Sequence, residues 1–312
     1  MLPADLGIVV VSHGRPDLLE RNLVELGRSV RGDQVVVVDN FCGIAQRDAT
    51  TALCGREGWT LLAPALDLGF AAAANAAVQV LTARGCRRLM ILNPEVRISP
   101  ADVLTLAEGC AADPQRILGP RLRTEDAATF GGDPLRTGVL GARAAGRPPR
   151  GRPRRASRVI HAALWRWLDG FDESYFLYWE DVDLCWRAVA AGGGATVRDD
   201  VIAVRGGNSS AAASEGVSTL QVYSHCRNRL AFAVQHLGRR QLLHWLMLSP
   251  VHVGAVLRDA AGARRANGWP LLVAALRGTA AGVALAVGRL AALSPAGGGG
   301  AVRLPDACGA GR

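Results

Sequence analysis

Apolar and polar positions along the chain divide it into short continuous runs and longer amphipathic stretches. Gly7 to Ser12 reads GIVVVS, a β-branched block of strand length. Pro16 follows, and apolar residues then recur with helical spacing at Leu18, Leu19, Leu23, Leu26 and Val30. Gln34 to Val38 predicts a second buried strand, ending in Asp39-Asn40. Strand, helix, strand at this spacing is a parallel βαβ unit, and ligands bind at the carboxyl ends of such strands. Trp59 to Leu62 predicts a third strand, an Ala-rich helix runs from after Asp67-Leu68-Gly69 to about Arg84, and Arg87 to Leu92 predicts a fourth strand. Pro100 to Ala112 reads as a helix and Arg116 to Pro120 as a strand.

From about Gly131 to Arg158 the periodicity disappears. The segment RAAGRPPRGRPRRASR reads as a mobile loop, or as a cover for an anionic ligand or phospholipid headgroups. Val159 to Leu164 then leads through Trp165 and Trp167 into GFDESYFLYWEDVDLCWR, residues 170–187. This string places acids and aromatics ahead of a helix from about Asp181 to Ala190, stopped by Gly192, Gly193 and Gly194. Ala195 to Val204 predicts another strand and Val217 to Leu237 a helix. Two strongly apolar stretches follow, Gln241 to Leu257 interrupted by Pro250 and Trp269 to Leu290 interrupted by Arg277. Neither is a clean span of about 20 apolar residues. They fit interfacial helices leaning on a bilayer, or helices packed on the core. The Gly-rich tail from Pro295 is expected to be disordered.

Composition narrows the partners. A formal charge of +9 over 312 residues suggests an anionic one. Every basic residue is Arg, however, so arginine number reflects a general bias and carries little functional weight. The seven cysteines form no close pair and no metal-ligand spacing, which predicts reduced thiols. Met1 leads almost directly into a strand pattern, so no secretory leader is expected. Charge alone points to nucleic acid, no module supports it, and no nucleic-acid partner is expected.

Several polar residues stand where chemistry would be done. Glu180 and Asp181 lie in a first helical turn, where the helix dipole stabilises carboxylates as a base or metal partner requires; acids at helix starts are also simply structural. Asp183 precedes Arg187 by four residues, an ordinary surface pairing. Asp39 sits where an acid accepts from a nucleobase or ribose, though Asp-Asn is also a turn. Gly69 at the entry to an Ala-rich helix lets backbone N–H groups approach phosphate. Glu95, after Asn93-Pro94, ends a strand where a carboxylate can bind Mg2+ or Mn2+ bridging a diphosphate; Asn-Pro-Glu also reads as a turn before a helix. His161 reads as packed.

The 170–187 string closely resembles the GFDE...(F/Y)xEDxDLcxR segment of the inverting family 2 glycosyltransferases, in particular their bacterial rhamnosyltransferase-like branch. VVVVDNFCG, DLGFAAAAN, LNPE and the region beginning at Arg205 resemble, in order, that family's VVDNxS, NxGFaxaxN, LNPD and HxxGxS elements. The resemblance covers about residues 7–237. It implies a GT-A fold: a Rossmann-like nucleotide-binding mixed α/β sheet flanked by helices. Residues 1–237 would form that domain, with a nucleotide-sugar half to about 120 and an acceptor half from 121. An apolar helical extension, 238–294, and the tail would follow.

By the same resemblance Asp181, with Glu180 beside it, is the general base, Asp39 contacts the donor's base with Asn40 adjoining, and Gly69, Asn75 and Asn93 belong to the donor site. Glu95 takes the place of the metal-binding Asp and Arg205 that of the metal-site His, so that Arg205 would meet the diphosphate with a fixed charge. The strand and helix before GFDE look several residues short. The implied reaction moves a rhamnose-like sugar, from dTDP-rhamnose or another nucleotide-diphosphate sugar, to a polyprenyl-linked or cell-envelope glycan. The implied location is cytoplasmic, peripheral on the inner face of the membrane. The alternative is a catalytically degenerate relative that binds nucleotide sugar or a partner transferase without turnover.

Overall fold

The apolar runs form one sheet. The computed structural model describes residues 1–124, 157–206, 218–262 and 268–292. The arginine-rich run before Ser157, Gly207 to Ser210 and the tail from Pro295 lie outside them.

Among the described residues eight strands form, β1 (Leu6–Ser12), β2 (Val35–Asp39), β3 (Thr60–Leu62), β4 (Arg88–Leu92), β5 (Val96–Ile98), β6 (Arg116–Thr124), β7 (Ser157–His161) and β8 (Gly194–Arg205). They are ordered β3-β2-β1-β4-β7-β6-β8-β5. Strands β1 to β4 run parallel, β7 is antiparallel to β4 and β6, β6 is parallel to β8, and β5 is antiparallel to β8. The carboxyl ends of β1, β2 and β4 therefore share one edge with the start of β7. Ser12 pairs with Asp39 there, and Leu92 with Ser157.

The βαβ expectation holds because β1 and β2 are buried on both faces, as continuous Val/Ile runs require. Ile8, Val10, Val35 and Val37 pack on one side, Val9, Val11, Val36 and Val38 on the other. Helices cover both: α1 (Pro16–Gly27), α2 (Ile44–Glu57), α3 (Gly69–Ala83), α4 (Pro100–Ala112), α5 (Ala162–Trp167) and α6 (Glu180–Ala190). Ala71, Ala73, Ala74 and Ala77 let α3 lie directly against the sheet. Ser99 caps α4 by accepting from the Asp102 amide, with Pro100 at the first helical position.

Helix α2 was not visible in the pattern. The strand and helix before the 170–187 string, which looked several residues short, are both present as β7 and α5. His161 caps α5, its ring nitrogen accepting from the Ala163 amide.

The C-terminal region is helical: α7 (Thr219–His236), α8 (Arg239–Met247), α9 (Ser249–Gly262) and α10 (Gly268–Ala292). Pro250 falls in the first turn of α9, where its missing N–H costs nothing. Arg277 does not interrupt α10, which is 25 residues long and apolar enough by length and composition to cross a membrane, with a third of its most apolar window buried. Its inward stripe is small: Ala274, Gly278, Gly282 and Ala286. A Cβ on Gly278 would lie 2.3 Å from the Tyr223 carbonyl oxygen, so α10 and α7 touch backbone to backbone.

Candidate active site

The carboxyl edge of the sheet holds unmet polar atoms. Asp39 is almost wholly buried. Arg47 donates to its Oδ2 at 2.6 Å and to its carbonyl at 3.3 Å, and the guanidinium lies over the Phe41 ring at 4.6 Å. Oδ1 of Asp39 and the hydroxyl of its register partner Ser12 are both buried without a hydrogen-bond partner. Buried polar groups left unmet are costly, and a carboxylate oxygen beside a hydroxyl at a ligand-binding edge is what a polar ligand with N–H groups would satisfy.

Asn40 and the start of α3 are tied to each other. Asn40 Oδ1 accepts from the Leu68 amide at 2.8 Å, Asp67 Oδ1 from the Gly69 amide at 2.8 Å, and the Phe176 carbonyl from the Phe70 amide at 2.8 Å. These three amides are spent inside the protein, so the phosphate cradle expected at Gly69 is not open there. Gly69 has φ of 76°, and a Cβ would sit 2.4 Å from the Phe176 oxygen. The glycine lets the 170–179 loop approach α3. Asn75, expected at the donor, is likewise engaged by this loop: it accepts from the Phe171 amide at 3.0 Å and donates to the Phe171 carbonyl at 2.9 Å.

Asn93 builds a turn, its Oδ1 accepting from the Glu95 amide at 2.9 Å. Glu95 and Arg205 are brought together: Arg205 Nη2 lies 2.5 Å from Glu95 Oε2. The pairing of Val96 with Arg205 and the bond from the Gly206 amide to the Glu95 carbonyl fix this contact.

The 170–179 loop is held from behind and delivers α6. Tyr178 and Trp179 have φ of 72° and 78°, a left-handed pair that bulky residues adopt only when their surroundings impose it. Asn228, buried on α7, imposes it by donating to the carbonyls of Leu177 and Tyr178, each at 2.9 Å. Arg227 donates to the Ser174 carbonyl and to Asn228 Oδ1. Burial alone would raise the Asp172 carboxyl, but hydrogen bonds from Ser174 and Gln235 and the Arg187 charge bring it below the usual carboxylate range. Asp183 is not a surface partner. It is 1% exposed, and both Arg187, at 2.6 Å, and His236, at 2.5 Å, meet its carboxylate. Arg187 in turn donates to the carbonyls of Leu168 and Gly170, closing the base of the loop.

Glu180 and Asp181 emerge at the first turn of α6, both buried. Asp181 Oδ1 accepts from the Val182 amide at 2.9 Å, and Arg158 Nη2 lies 3.5 Å from Oδ2. The guanidinium of Arg158 sits over the Phe171 ring at 5.7 Å. Sequence reading missed Arg158 because it closes the arginine run. Its signal was the alternation with Ile160, which puts both on one buried face of β7.

The sheet order, with its parallel run β3-β2-β1-β4 and the antiparallel β7 beside it, and the helices on both faces decide the architecture. This is the GT-A fold. A solved structure of similar fold is the mannosyltransferase PcManGT from Pyrobaculum calidifontis in complex with GDP-Man and Mn2+. It is 18% identical, with a TM-score of 0.55 over 93% of this chain and 88% of that one. S. aureus TarS 1-349 in complex with UDP is 11% identical, TM-score 0.50, over 92% and 91% of the two chains. GalNAc-T7 with UDP, GalNAc and Mn2+ is 12% identical, TM-score 0.51, over 74% of this chain and 50% of that one. No protein-family profile matches the chain, and no curated protein matches its sequence.

Two of these GT-A structures hold Mn2+. In this chain the acid expected to bind a cation is already neutralised by Arg205, and among the described residues no three His, Cys, Asp or Glu side chains gather to hold a metal. A divalent ion needs several oxygen ligands, so the donor set around Glu95 does not fit one.

Proposed function

We propose that the protein is an inverting glycosyltransferase, moving a rhamnose-like sugar from a nucleotide-diphosphate donor to a polyprenyl-linked or cell-envelope glycan. The observation that carries this is the hydrogen-bonded chain from the donor edge to the carboxylates. Asn40 holds Leu68, Phe70 holds Phe176, and the strained turn at Tyr178-Trp179 then aims Glu180 and Asp181. Such a linkage keeps a donor and a base in fixed relation, which is where most of the rate advantage of a positioned base arises.

In the reaction, Asp181 takes the proton of the acceptor hydroxyl as its oxygen forms a bond to the anomeric carbon. The bond from that carbon to the diphosphate oxygen breaks on the opposite face, and its electron pair leaves with the diphosphate. Asp39 Oδ1, with its unmet acceptor, suits a nucleobase carrying a ring N–H, as thymine, uracil and guanine do. Arg205 would answer the leaving group by turning from Glu95 to the diphosphate, and no step is routed through a metal. Exposed Trp269, Leu276 and Val287 on α10, with Arg239 and Arg240 opening α8, support a peripheral contact with the inner face of the membrane.

A second reading, a degenerate relative that binds nucleotide sugar without turnover, is favoured by one observation: Glu95 and Asp181 each face an arginine. Donor turnover by wild-type and Asp181→Asn protein separates the two, after a thermal-shift panel of nucleotide sugars has identified the donor. Loss of roughly a hundredfold or more in the variant supports the base. Identical rates remove it.

A further inference from the structure

We propose that Arg158 is shared between the base and the donor: it holds Asp181 in the empty protein and passes to the donor's diphosphate on binding. The proposal rests on the glycosyl-transfer reading above. Ser157 pairs with Leu92 and Arg158 with Ile91, which sets Arg158 at the edge where Asn93-Pro94-Glu95 leaves the sheet.

The present pairing of this arginine is poor on both sides. Its Nη1 is buried and has no hydrogen-bond partner, and leaving a buried donor unmet costs as much as a lost hydrogen bond. Its Nη2 stands 3.5 Å from Asp181 Oδ2, against about 2.7–2.9 Å for a well-made charge-assisted bond. The planar fork is built to meet two oxygens at once, which a diphosphate offers and the present contact does not.

Asp181 is arranged to profit from the exchange. Oδ1 is tied to the Val182 amide at 2.9 Å, so Oδ2, the oxygen facing Arg158, is the one left to take the acceptor's proton. While the guanidinium faces it, that oxygen is masked. When an anionic oxygen engages Nη1 and draws the fork away, Oδ2 is released beside the newly bound sugar. Donor must then bind before acceptor, and acceptor alone finds no free base.

The test is calorimetric titration of UDP, GDP and dTDP, and of the matching nucleosides, into wild-type, Arg158→Met, Asp181→Asn and doubly substituted protein. Arg158→Met is expected to weaken the bound diphosphate roughly ten- to hundredfold while leaving its nucleoside within about twofold. Asp181→Asn, which removes the competitor for Arg158, is expected to tighten the diphosphate by roughly threefold or more. A purely structural role for Arg158 would not produce that gain. The double variant buries no lone charge, so it reports even if Arg158→Met does not fold, and it is expected to bind as weakly as the single Arg158 variant. Unchanged diphosphate affinity without Arg158 overturns the proposal. So does an Asp181→Asn protein that binds no tighter than wild type. If wild-type protein binds none of the three diphosphates, the glycosyl-transfer reading itself fails.

Discussion

Asn75 and Phe171 exchange two hydrogen bonds although 96 positions separate them. The amide of α3 thereby closes on the backbone of the loop that ends in the candidate base, and the two halves of the site become one body. Replacing Asn75 with Ala leaves one buried N–H and one carbonyl unmet. The expected loss is about 2–3 kcal/mol, read as a lower urea midpoint at unchanged m-value.

Asn228 is expected to be as costly. In Asn228→Ala the carbonyls of Leu177 and Tyr178 lose their donors, and the left-handed pair loses the two bonds that fix its peptide planes. A stability loss of about 2–4 kcal/mol should accompany new protease cleavage between residues 174 and 181.

How much of this was legible depends on whether a residue's partner is local. The strands at Gly7–Ser12 and Gln34–Val38 and the helix from Pro100 are written in contiguous runs and caps, and they appear almost as read. Helix α2 buries only Thr50, Leu53 and Cys54, too narrow a stripe to show a period. Arg277 ends an apolar run by composition, yet it points outward and the helix continues. Spacing placed Asp183 beside Arg187 but could not reveal burial, which His236 imposes from another helix. Asn75 and Gly69 match the family's donor element, while their observed partners, Phe171 and Phe176, come from far along the chain.

His252 should make the protein acid-labile. Burial, and the Arg229 charge beside it, lower its imidazole to about 3. The unfolded chain takes up this proton near 6.5 and the folded chain only near 3, so in that window the unfolded state binds more protons. Stability is full above 6.5 and falls as pH drops, by about 2 kcal/mol at pH 5. His252→Leu should flatten urea midpoints between pH 7 and pH 5.

Chelation tests the cation seat. With Glu95 already paired to Arg205, EDTA is expected to leave nucleoside diphosphate affinity within roughly twofold of that in Mn2+. Calorimetry in the two buffers decides it, and a large loss in EDTA would show that the pair opens to admit an ion.

The contact of α10 with α7 leaves no room for a methyl group. Gly278→Ala puts a Cβ 2.3 Å from a backbone oxygen that cannot rotate aside. The helices must separate, at about 2 kcal/mol or more, seen as a drop in melting temperature.

Strand β6 ends at Thr124 and β7 begins at Ser157, and because the two are antiparallel both termini face the ligand edge. The connection between them departs from and returns to the rim of the site, so changing its length shifts no strand register. Thr124 and Ser157 are strand ends already held by backbone pairing, so a segment exchanged between them would be tethered at this edge while the registers of β6 on β8 and β7 on β4 stay as they are.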